Sequence, residues 1–265
     1  MRKLRNTLLL FTIFSLALST QSCEGGFGFV YDEQETVKAV DGQIYIDASD
    51  WKTWYYIDLN AITDSLRNNS AYDASASVTS REIPMTAVGD TLHTNGHQRA
   101  GQYMYWYDIF GKGLSENKFQ YYTPTAEQDD PANWTFAIHR NNVRTNGGSA
   151  YETQLTDINA VTKADYAAAT FTEDTWSENE VWDDQTLMLM KYVPSQGINT
   201  NKVLSSWLRM EITTPPPTFY HNNHVFILRL KDNTYAALQL ADYISPAGTK
   251  CCMTIKYRYP LTVNN

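Results

Sequence analysis

The residues best suited to perform chemistry are a run of carboxylates between positions 173 and 184. Six acidic side chains there are interleaved with two tryptophans, Trp176 and Trp182. Paired carboxylates flanked by aromatic rings are typical of glycoside-hydrolysing sites, where one acid protonates the leaving group. The acids do not repeat on one strand face, so the pattern favours a solvated loop over a catalytic pair. The six are Glu173, Asp174, Glu178, Glu180, Asp183 and Asp184.

Other reactive side chains also lack the partners that a catalytic or metal site would need. His93 and His97 are spaced as metal ligands can be, but a third ligand is missing and Asn95-Gly96 between them predicts a turn. The sequence contains no GxSxG, HExxH or P-loop motif. We therefore predict neither a metal site nor an enzyme.

Cys251 and Cys252 are neighbours in the sequence. Successive strand residues point to opposite faces, and a disulfide between them would be strained. Without further partners a disulfide framework is excluded. We predict two buried cysteines on a strand.

Composition limits the classes of protein that this chain can be. Of 265 residues, 43% are hydrophobic and 13% aromatic, enough to build a substantial core. The formal net charge of −8 argues against nucleic acid as a partner, because phosphate neutralisation needs a basic surface. It equally argues against attraction to an anionic membrane surface. Attachment to a membrane must then be covalent or hydrophobic.

The first 22 residues predict a secretory signal of the lipoprotein type. Three basic residues precede an apolar run at positions 8–18, which is too short to span a bilayer. Cys23 follows directly and is the predicted lipidation site, with ordinary cleavage and a free Cys23 as the alternative. Removing the signal takes away three basic residues and no acid, so the charge becomes −11. Residues 23–40 are expected to be a tether.

Residues 41–265 predict one mostly β domain with long loops and few short helices. Short aromatic and β-branched runs alternate with turn-forming residues along this part of the chain. Residues 225–230 and 235–240 predict a hairpin around a turn at 231–234. We also expect long loops over 60–94, a helix over 156–169, a short helix within 199–208, and a strand over 185–191.

One segment resembles a known family. Residues 133–140 read N-W-T-F-A-I-H-R and lead into N-N-V-R-T-N-G-G at 141–148. This is similar to the signature of the HmuY-type haem-binding lipoproteins of Gram-negative anaerobes, W-x-[FI]-A-[FI]-H-R followed by V-[KR]-T-N-G-G. Further similar stretches lie at 54–59, 206–208, 225–240 and 257–261, so the resemblance covers about residues 50–262.

The resemblance implies an all-β domain that holds haem between two finger-like loops. Such a protein would be lipid-anchored at the outer membrane on the cell surface, and would pass haem to a TonB-dependent receptor. The lipoprotein-type signal agrees with this location. In the family, iron takes two axial side chains, His or Met. Met188 and Met190 are the candidates at the first location. At the second location stands Pro215, which cannot ligate, and His221 is the candidate replacement.

The same resemblance suggests roles within the signature. His139 is expected to be structural, whereas Arg140 and Arg144 are candidate contacts for the haem propionates. Two alternatives remain open. One is a surface glycan-binding lipoprotein that uses some of Trp51, Trp54, Trp106, Trp176 and Trp182. The other is an HmuY-like paralogue that has lost haem ligation, which Pro215 would explain.

Overall fold

The strand signals of the sequence correspond to a largely antiparallel β structure. A computed structural model describes residues 42–108, 113–212 and 217–261, with side chains for all of them except 113–116. Within this part of the chain there are sixteen strands, two α-helices and four 3₁₀ helices. The predicted signal and tether, including Cys23, and the position Pro215 lie outside the described residues.

The strands are short, and most follow the aromatic and β-branched runs. The helices are α1 (Leu59–Asn68) and α2 (Lys202–Ser205), and the 3₁₀ helices are Ala74–Ser77, Ile158–Ala160, Lys163–Asp165 and Met188–Met190. The strands are β1 (Gln43–Asp47), β2 (Thr53–Ile57), β3 (Thr79–Glu82), β4 (Gly101–Asp108), β5 (Gly113–Pro124), β6 (Phe136–His139), β7 (Asn142–Thr145), β8 (Ser149–Glu152), β9 (Thr172–Glu173), β10 (Thr175–Trp182), β11 (Tyr192–Thr200), β12 (Leu208–Glu211), β13 (Thr218–His221), β14 (Phe226–Arg229), β15 (Tyr235–Ile244) and β16 (Lys250–Arg258).

Four sheets are formed, and every pairing between the named strands is antiparallel. The largest has the order β1-β16-β15-β14-β8-β9. Two four-stranded sheets have the orders β10-β11-β4-β5 and β3-β2-β6-β7, and β12 pairs with β13 alone. The predicted hairpin is confirmed, since β14 pairs with β15 around the 231–234 turn. The mostly β prediction is confirmed with it.

The main core lies on one face of the six-stranded sheet. Inward positions alternate along β16, where Met253, Ile255 and Tyr257 are buried while the intervening residues are half-buried. These side chains pack with residues of β2, β6 and α2, including Trp207 just after α2. Cys251 and Cys252 are free and buried in β16, as predicted.

Four predictions of local structure are wrong, and the fourth, the strand over 185–191, is described with the candidate site. Residues 156–169 form two separate 3₁₀ turns, because Val161 between them is extended and buried against β14 and β15. The predicted loop over 60–94 contains most of α1, which Asp58 caps by accepting from the amides of Asn60 and Ala61. The acidic run is not a loop: it forms β9, β10 and the residues just after them.

Candidate functional site

Residues 185–191 form a tight turn, called here the methionine turn. Its 3₁₀ helix is closed by the amide of Met190, which donates to Leu187 O at 2.9 Å, and by that of Lys191, which donates to Met188 O at 2.9 Å. Lys191 has a φ of 64°, which reverses the chain into β11. The predicted strand here is wrong. Met188 and Met190 therefore do not share a strand face, because residues two apart in a 3₁₀ turn point in different directions.

The methionine turn presents apolar side chains to solvent. Leu189 is 78% exposed and Met190 61% exposed, whereas Met188 is partly buried. Adjacent large apolar groups at a surface are unfavourable unless something covers them, so such a patch indicates a ligand or partner. The turn is thus a candidate contact surface as well as a source of thioether sulfur.

The hairpin of β12 and β13 is the second element of the site. Met210 pairs with Phe219, and Leu208 with His221. Among the named strands these two pair only with each other, so the hairpin stands apart from the larger sheets. Its tip at 213–216, which includes Pro215, lies outside the described residues.

An aromatic cluster connects the turn to the hairpin. Tyr107, Trp182, Val193 and Ile212 are its buried members, and Met188, Met210 and Trp51 pack against it. The rings of Tyr107 and Trp182 meet edge to face, with centroids 5.1 Å apart. One thioether from the turn and one from the hairpin therefore contact the same apolar surface.

A groove of about 310 Å³ opens beside this cluster. Tyr107, Trp182 and Met210 supply its apolar lining, and Asn142, Lys202 and Arg209 are among its polar lining residues. The groove is open to solvent. An apolar lining with a few polar groups at its edge is the usual composition of a site for a small organic ligand. We call it the methionine groove.

The hydroxyl of Tyr107 has no hydrogen-bond partner among the described residues, although the residue is fully buried. Burial raises the pKa of Tyr107 to about 12, and the charge of Glu211 adds to the effect. The phenol is therefore neutral and can donate one hydrogen bond. An unpaired buried hydroxyl is costly, so this atom favours a ligand with a polar group at the groove.

Two cations line the methionine groove, and each has an acidic partner. Arg209 lies 2.9 Å from Glu211, and Lys202 lies 3.6 Å from Glu180. Both side chains are more than half exposed, so these ion pairs are weak and can be exchanged for a ligand carboxylate.

His221 lies at the base of the hairpin. Its Nε2 is 2.7 Å from the carbonyl oxygen of Leu240, and its ring centroid is 5.6 Å from that of Tyr243. It is neither a member of the aromatic cluster nor a lining residue of the methionine groove. Of the three predicted iron ligands, only Met188 packs on that cluster, and none of the three lines the methionine groove.

The signature residues His139 and Arg140 contact the segment before β2. His139 is fully buried and its Nε2 lies 2.8 Å from Trp51 O. Burial lowers the pKa of His139 to about 4, so the ring is neutral at physiological pH. Arg140 donates to Ser49 O at 2.6 Å and its guanidinium lies 3.7 Å from the ring centre of Trp51. Trp51 also packs on the aromatic cluster, so these contacts help to hold Trp51 in place beside the site.

Arg144 occupies a different surface. It forms a bidentate pair with Asp130 at 2.8 and 3.0 Å and lies over the ring of Trp134. It does not line the methionine groove; it lines two other cavities. A contact between Arg144 and haem propionates stays a prediction.

A buried carboxyl lies next to Trp182. Asp183 is fully buried, and burial raises its pKa to about 7. The amide of Gln102 and the charge of Lys52 partly oppose that effect, whereas Asp184 reinforces it. Among the residues described, no group of three or more His, Cys, Asp or Glu side chains could hold a metal ion.

Sequence reasoning did not identify Tyr107, Trp182 or Met210 as parts of a groove. The alternation of tyrosines in Gln-Tyr-Met-Tyr-Trp-Tyr at 102–107 is typical of a strand with one buried face, but it gives no indication that Tyr107 lines a cavity. That depends on how β4 and β12 meet, which no local pattern encodes.

These features define a β protein with an aromatic cluster on which a tight turn and a two-stranded hairpin each place a thioether, and with a groove beside that cluster. The sequence model described as HmuY protein matches residues 50–257. The chain therefore belongs to the HmuY family. Members of this family are binding proteins.

Solved structures agree with this assignment. A protein of Bacteroides vulgatus ATCC 8482, described as a candidate HmuY-like haem-binding protein, is 28% identical, with a TM-score of 0.55 over 83% of this chain and 92% of that one. A candidate lipoprotein of Bacteroides fragilis NCTC 9343 is 27% identical, with a TM-score of 0.54 over 83% and 89%. The apo HmuY analogue of Tannerella forsythia, 18% identical, shares the fold with a TM-score of 0.55 over 81% and 93%. Comparison with curated proteins gives no match.

Membrane attachment is a separate question. No helix in the described residues is long and apolar enough to cross a bilayer. The similarity to a candidate lipoprotein agrees with the lipoprotein-type signal in the sequence.

Proposed function

We propose that this protein is a lipid-anchored haem-binding protein of the outer membrane, which takes up haem against the aromatic cluster and the adjoining methionine groove and passes it to a TonB-dependent receptor. The family and its haem-binding neighbour support the class of ligand. In this proposal Cys23 carries the anchor, and the protein acts by binding rather than by catalysis.

The observation that carries the proposal is the meeting of Met188 and Met210 on one aromatic cluster. Thioether sulfur is a ligand that haem iron accepts, and it favours a higher reduction potential than histidine does. Aromatic and aliphatic side chains around the sulfur atoms would cover the porphyrin faces. Met188 is therefore the first candidate ligand and Met210 the second, with Met190 and His221 kept as the alternatives.

The groove also offers partners for the rest of the haem molecule. The propionates would exchange with the carboxylates that now pair with Arg209 and Lys202. The hydroxyl of Tyr107 would donate to a polar atom at the porphyrin edge, which would satisfy its unpaired hydrogen. Haem supplies the iron centre in this proposal, and the chain supplies soft ligands, apolar cover and charge balance.

A haemin titration followed in the Soret region, under oxidising and then reducing conditions, tests this function. We expect a saturable, shifted band. Met188→Ala and Met210→Ala should each weaken binding at least about tenfold, because each removes one axial bond. Met85→Ala is the matched control, since Met85 is an exposed methionine that neither packs on the aromatic cluster nor lines the groove.

The outcomes separate the parts of the proposal. No saturable band in either redox state overturns haem binding and leaves the family fold without the ligand. A band that survives Met188→Ala and Met210→Ala but is lost in Met190→Ala or His221→Ala moves the ligands to those residues. Equal binding by all four variants overturns side-chain ligation by this set.

A further inference from the structure

A second binding surface lies on the sheet of β10, β11, β4 and β5. A cavity of about 530 Å³ is lined there by Trp176, Tyr122, Arg99, Arg144 and Asp130, with Gln196 among the others. Adjacent cavities of about 500 and 420 Å³ share lining residues with it: Trp176 and Gln98 with the first, and Asp130, Arg144 and Asn199 with the second. Because the lining residues are shared, the three form one extended polar groove.

An aromatic ring and a free amide lie side by side in this polar groove. Trp176 and Asn199 are cross-strand partners, so their side chains lie on the same face of the sheet. Trp176 is half-buried, and its indole Nε1 has no partner among the described residues. Asn199 is exposed. The pair offers a flat apolar surface next to hydrogen-bonding atoms.

The backbone leaves room for that ring. A Cβ at Gly197 would lie 2.3 Å from a ring carbon of Tyr103 and 2.9 Å from one of Trp176. Glycine therefore allows both aromatic rings to lie directly over β11. The ring of Trp176 also meets that of Tyr103 edge to face, with centroids 6.3 Å apart. The indole is held in place before any ligand arrives.

Hydrogen bonds also hold the polar side chains that line this groove. The indole Nε1 of Trp54 donates to Gln196 at 2.7 Å, and Gln196 donates to Gln128 at 2.9 Å. Asp130 accepts from Arg144 and, at 2.7 Å, from the hydroxyl of Tyr56. Pre-positioned amide and carboxylate oxygens lose little entropy when they accept further hydrogen bonds.

Charge identifies the class of ligand. The largest cavity is lined by two cations, Arg99 and Arg144, and by two carboxylates, Glu127 and Asp130. This cavity is formally neutral, and the two adjoining cavities add Lys202 and four carboxylates, so the polar groove as a whole is negative and disfavours an anionic ligand. The four are Glu173, Asp174, Glu178 and Glu180. Its described lining contains no Met, His or Cys that could hold haem iron.

We propose that this polar groove binds a neutral oligosaccharide, with one sugar ring stacked on Trp176. The carbon-bound hydrogens on one face of a pyranose form an apolar surface that matches an indole, and the hydroxyl groups around its rim both donate and accept. Asn199, Gln128 and Asp130 supply acceptors, and Arg99 supplies donors. The length of the groove accommodates more than one ring. Trp176 and Asn199 do not line the methionine groove, although one adjoining cavity shares Asn179, Glu180 and Lys202 with it. The proposal does not depend on haem binding.

Affinity electrophoresis of the purified protein tests the proposal. Native gels containing yeast mannan, soluble starch, galactomannan or xylan are compared with a gel that contains no polysaccharide. We expect retardation in at least one of the four. Trp176→Ala should reduce the affinity at least about tenfold, which corresponds to the loss of about 1.4 kcal/mol.

Two further variants distinguish the loss of a ligand contact from misfolding. Asn199→Ala changes an exposed side chain and should weaken retardation while leaving the thermal unfolding temperature unchanged. Trp106→Ala is the matched tryptophan control, because Trp106 is half-buried on β4 and does not line the polar groove. It should be retarded like the unmodified protein.

Two results overturn the proposal: unchanged mobility in all four gels, or equal retardation of Trp176→Ala and the unmodified protein. A fifth gel with the acidic polymer polygalacturonate should cause less retardation than the neutral polymers, and stronger retardation there would overturn the choice of a neutral ligand. A haemin titration of Trp176→Ala separates this proposal from the proposed function. It should give the same Soret band as the unmodified protein.

Discussion

At the scale of single residues, two titratable side chains are buried next to the candidate site. His139 and Asp183 are both fully buried, and burial shifts their pKa values in opposite directions, down for the histidine and up for the acid. Each is neutral in its stable form, which is the usual way in which a protein tolerates a buried ionisable group. Both border the aromatic cluster, one through Trp51 and the other through Trp182.

Asp183 gives the chain a predictable pH dependence. Its pKa is about 7 when folded, above the value of 3.8 for a free side chain, so the folded state holds the extra proton between these values. The free energy of unfolding contributed by this group therefore falls as pH rises from about 4 to 7. Asp183→Asn should remove that loss and stabilise the protein at pH 8 by on the order of 2 kcal/mol.

Urea unfolding of both proteins at pH 5 and pH 8 checks this. The comparison must be made as a difference between variant and parent, because His139 acts the other way: its stabilising effect is lost as pH falls from about 6.5 towards 4. A variant that is equally destabilised at both pH values would show that Asp183 is charged in the folded protein.

At the scale of elements, the methionine turn shows where local patterns mislead. Four hydrophobic residues, Leu187 to Met190, alternate in type, which predicts a strand, yet they form a 3₁₀ turn. The residues at both ends of the segment cause it to form a turn instead of a strand. Asp184 accepts from the amide of Thr186 at 2.7 Å and begins the turn, and Lys191 adopts a left-handed conformation that ends it. A left-handed lysine leaves no signature in a sequence.

The backbone at Lys191 offers a direct test of the turn. Proline cannot adopt a φ of 64° and lacks the amide that donates to Met188 O, so Lys191→Pro should open the turn. Lys191→Gly is the matched control, because it removes the same ammonium group and accepts that φ freely. We expect haemin affinity to fall at least about tenfold further in the proline variant than in the glycine variant.

The unfolding temperature of these two variants distinguishes a local effect from a global one. The turn lies outside the main core, so both should unfold within a few degrees of the parent. Equal haemin affinity of the two would mean that the conformation of the turn does not matter for the ligand.

Much of the remaining architecture was accessible from the sequence because its signals are local. The β14–β15 hairpin follows from two hydrophobic runs around Lys231–Thr234, and the buried face of β16 follows from simple alternation. The sites were less accessible. Tyr107 and Met210 are about a hundred residues apart, and Trp176 meets Asn199 only through the register of β10 on β11. Such neighbours arise from long-range pairing.

At the scale of the whole molecule, the proposed lipidation at Cys23 can be tested separately from the fold. The sequence-predicted anchor is Cys23, and the other two cysteines are buried in β16. Cys23→Ser should therefore move the protein from the detergent-soluble membrane fraction to the aqueous fraction without changing its unfolding temperature. Several acyl chains on one residue anchor stably, and their loss leaves no other attachment in this proposal.

Cell fractionation followed by immunodetection measures how each variant is distributed between the two fractions. Cys252→Ser is the control and should stay with the membrane. If the Cys23→Ser protein also stays with the membrane, lipidation at Cys23 is not what holds it there.

The exposure of Met190 makes its side chain susceptible to oxidation. Its sulfur, on a residue 61% exposed, is open to peroxide, whereas Met253 in β16 is fully enclosed. Addition of one oxygen to the thioether yields a polar sulfoxide and makes the apolar methionine turn hydrophilic. Mild peroxide followed by peptide mass analysis should find the oxygen on Met190 long before Met253. Because methionine sulfoxide reductases reverse this oxidation, exposure to peroxide would change the polarity of the turn reversibly.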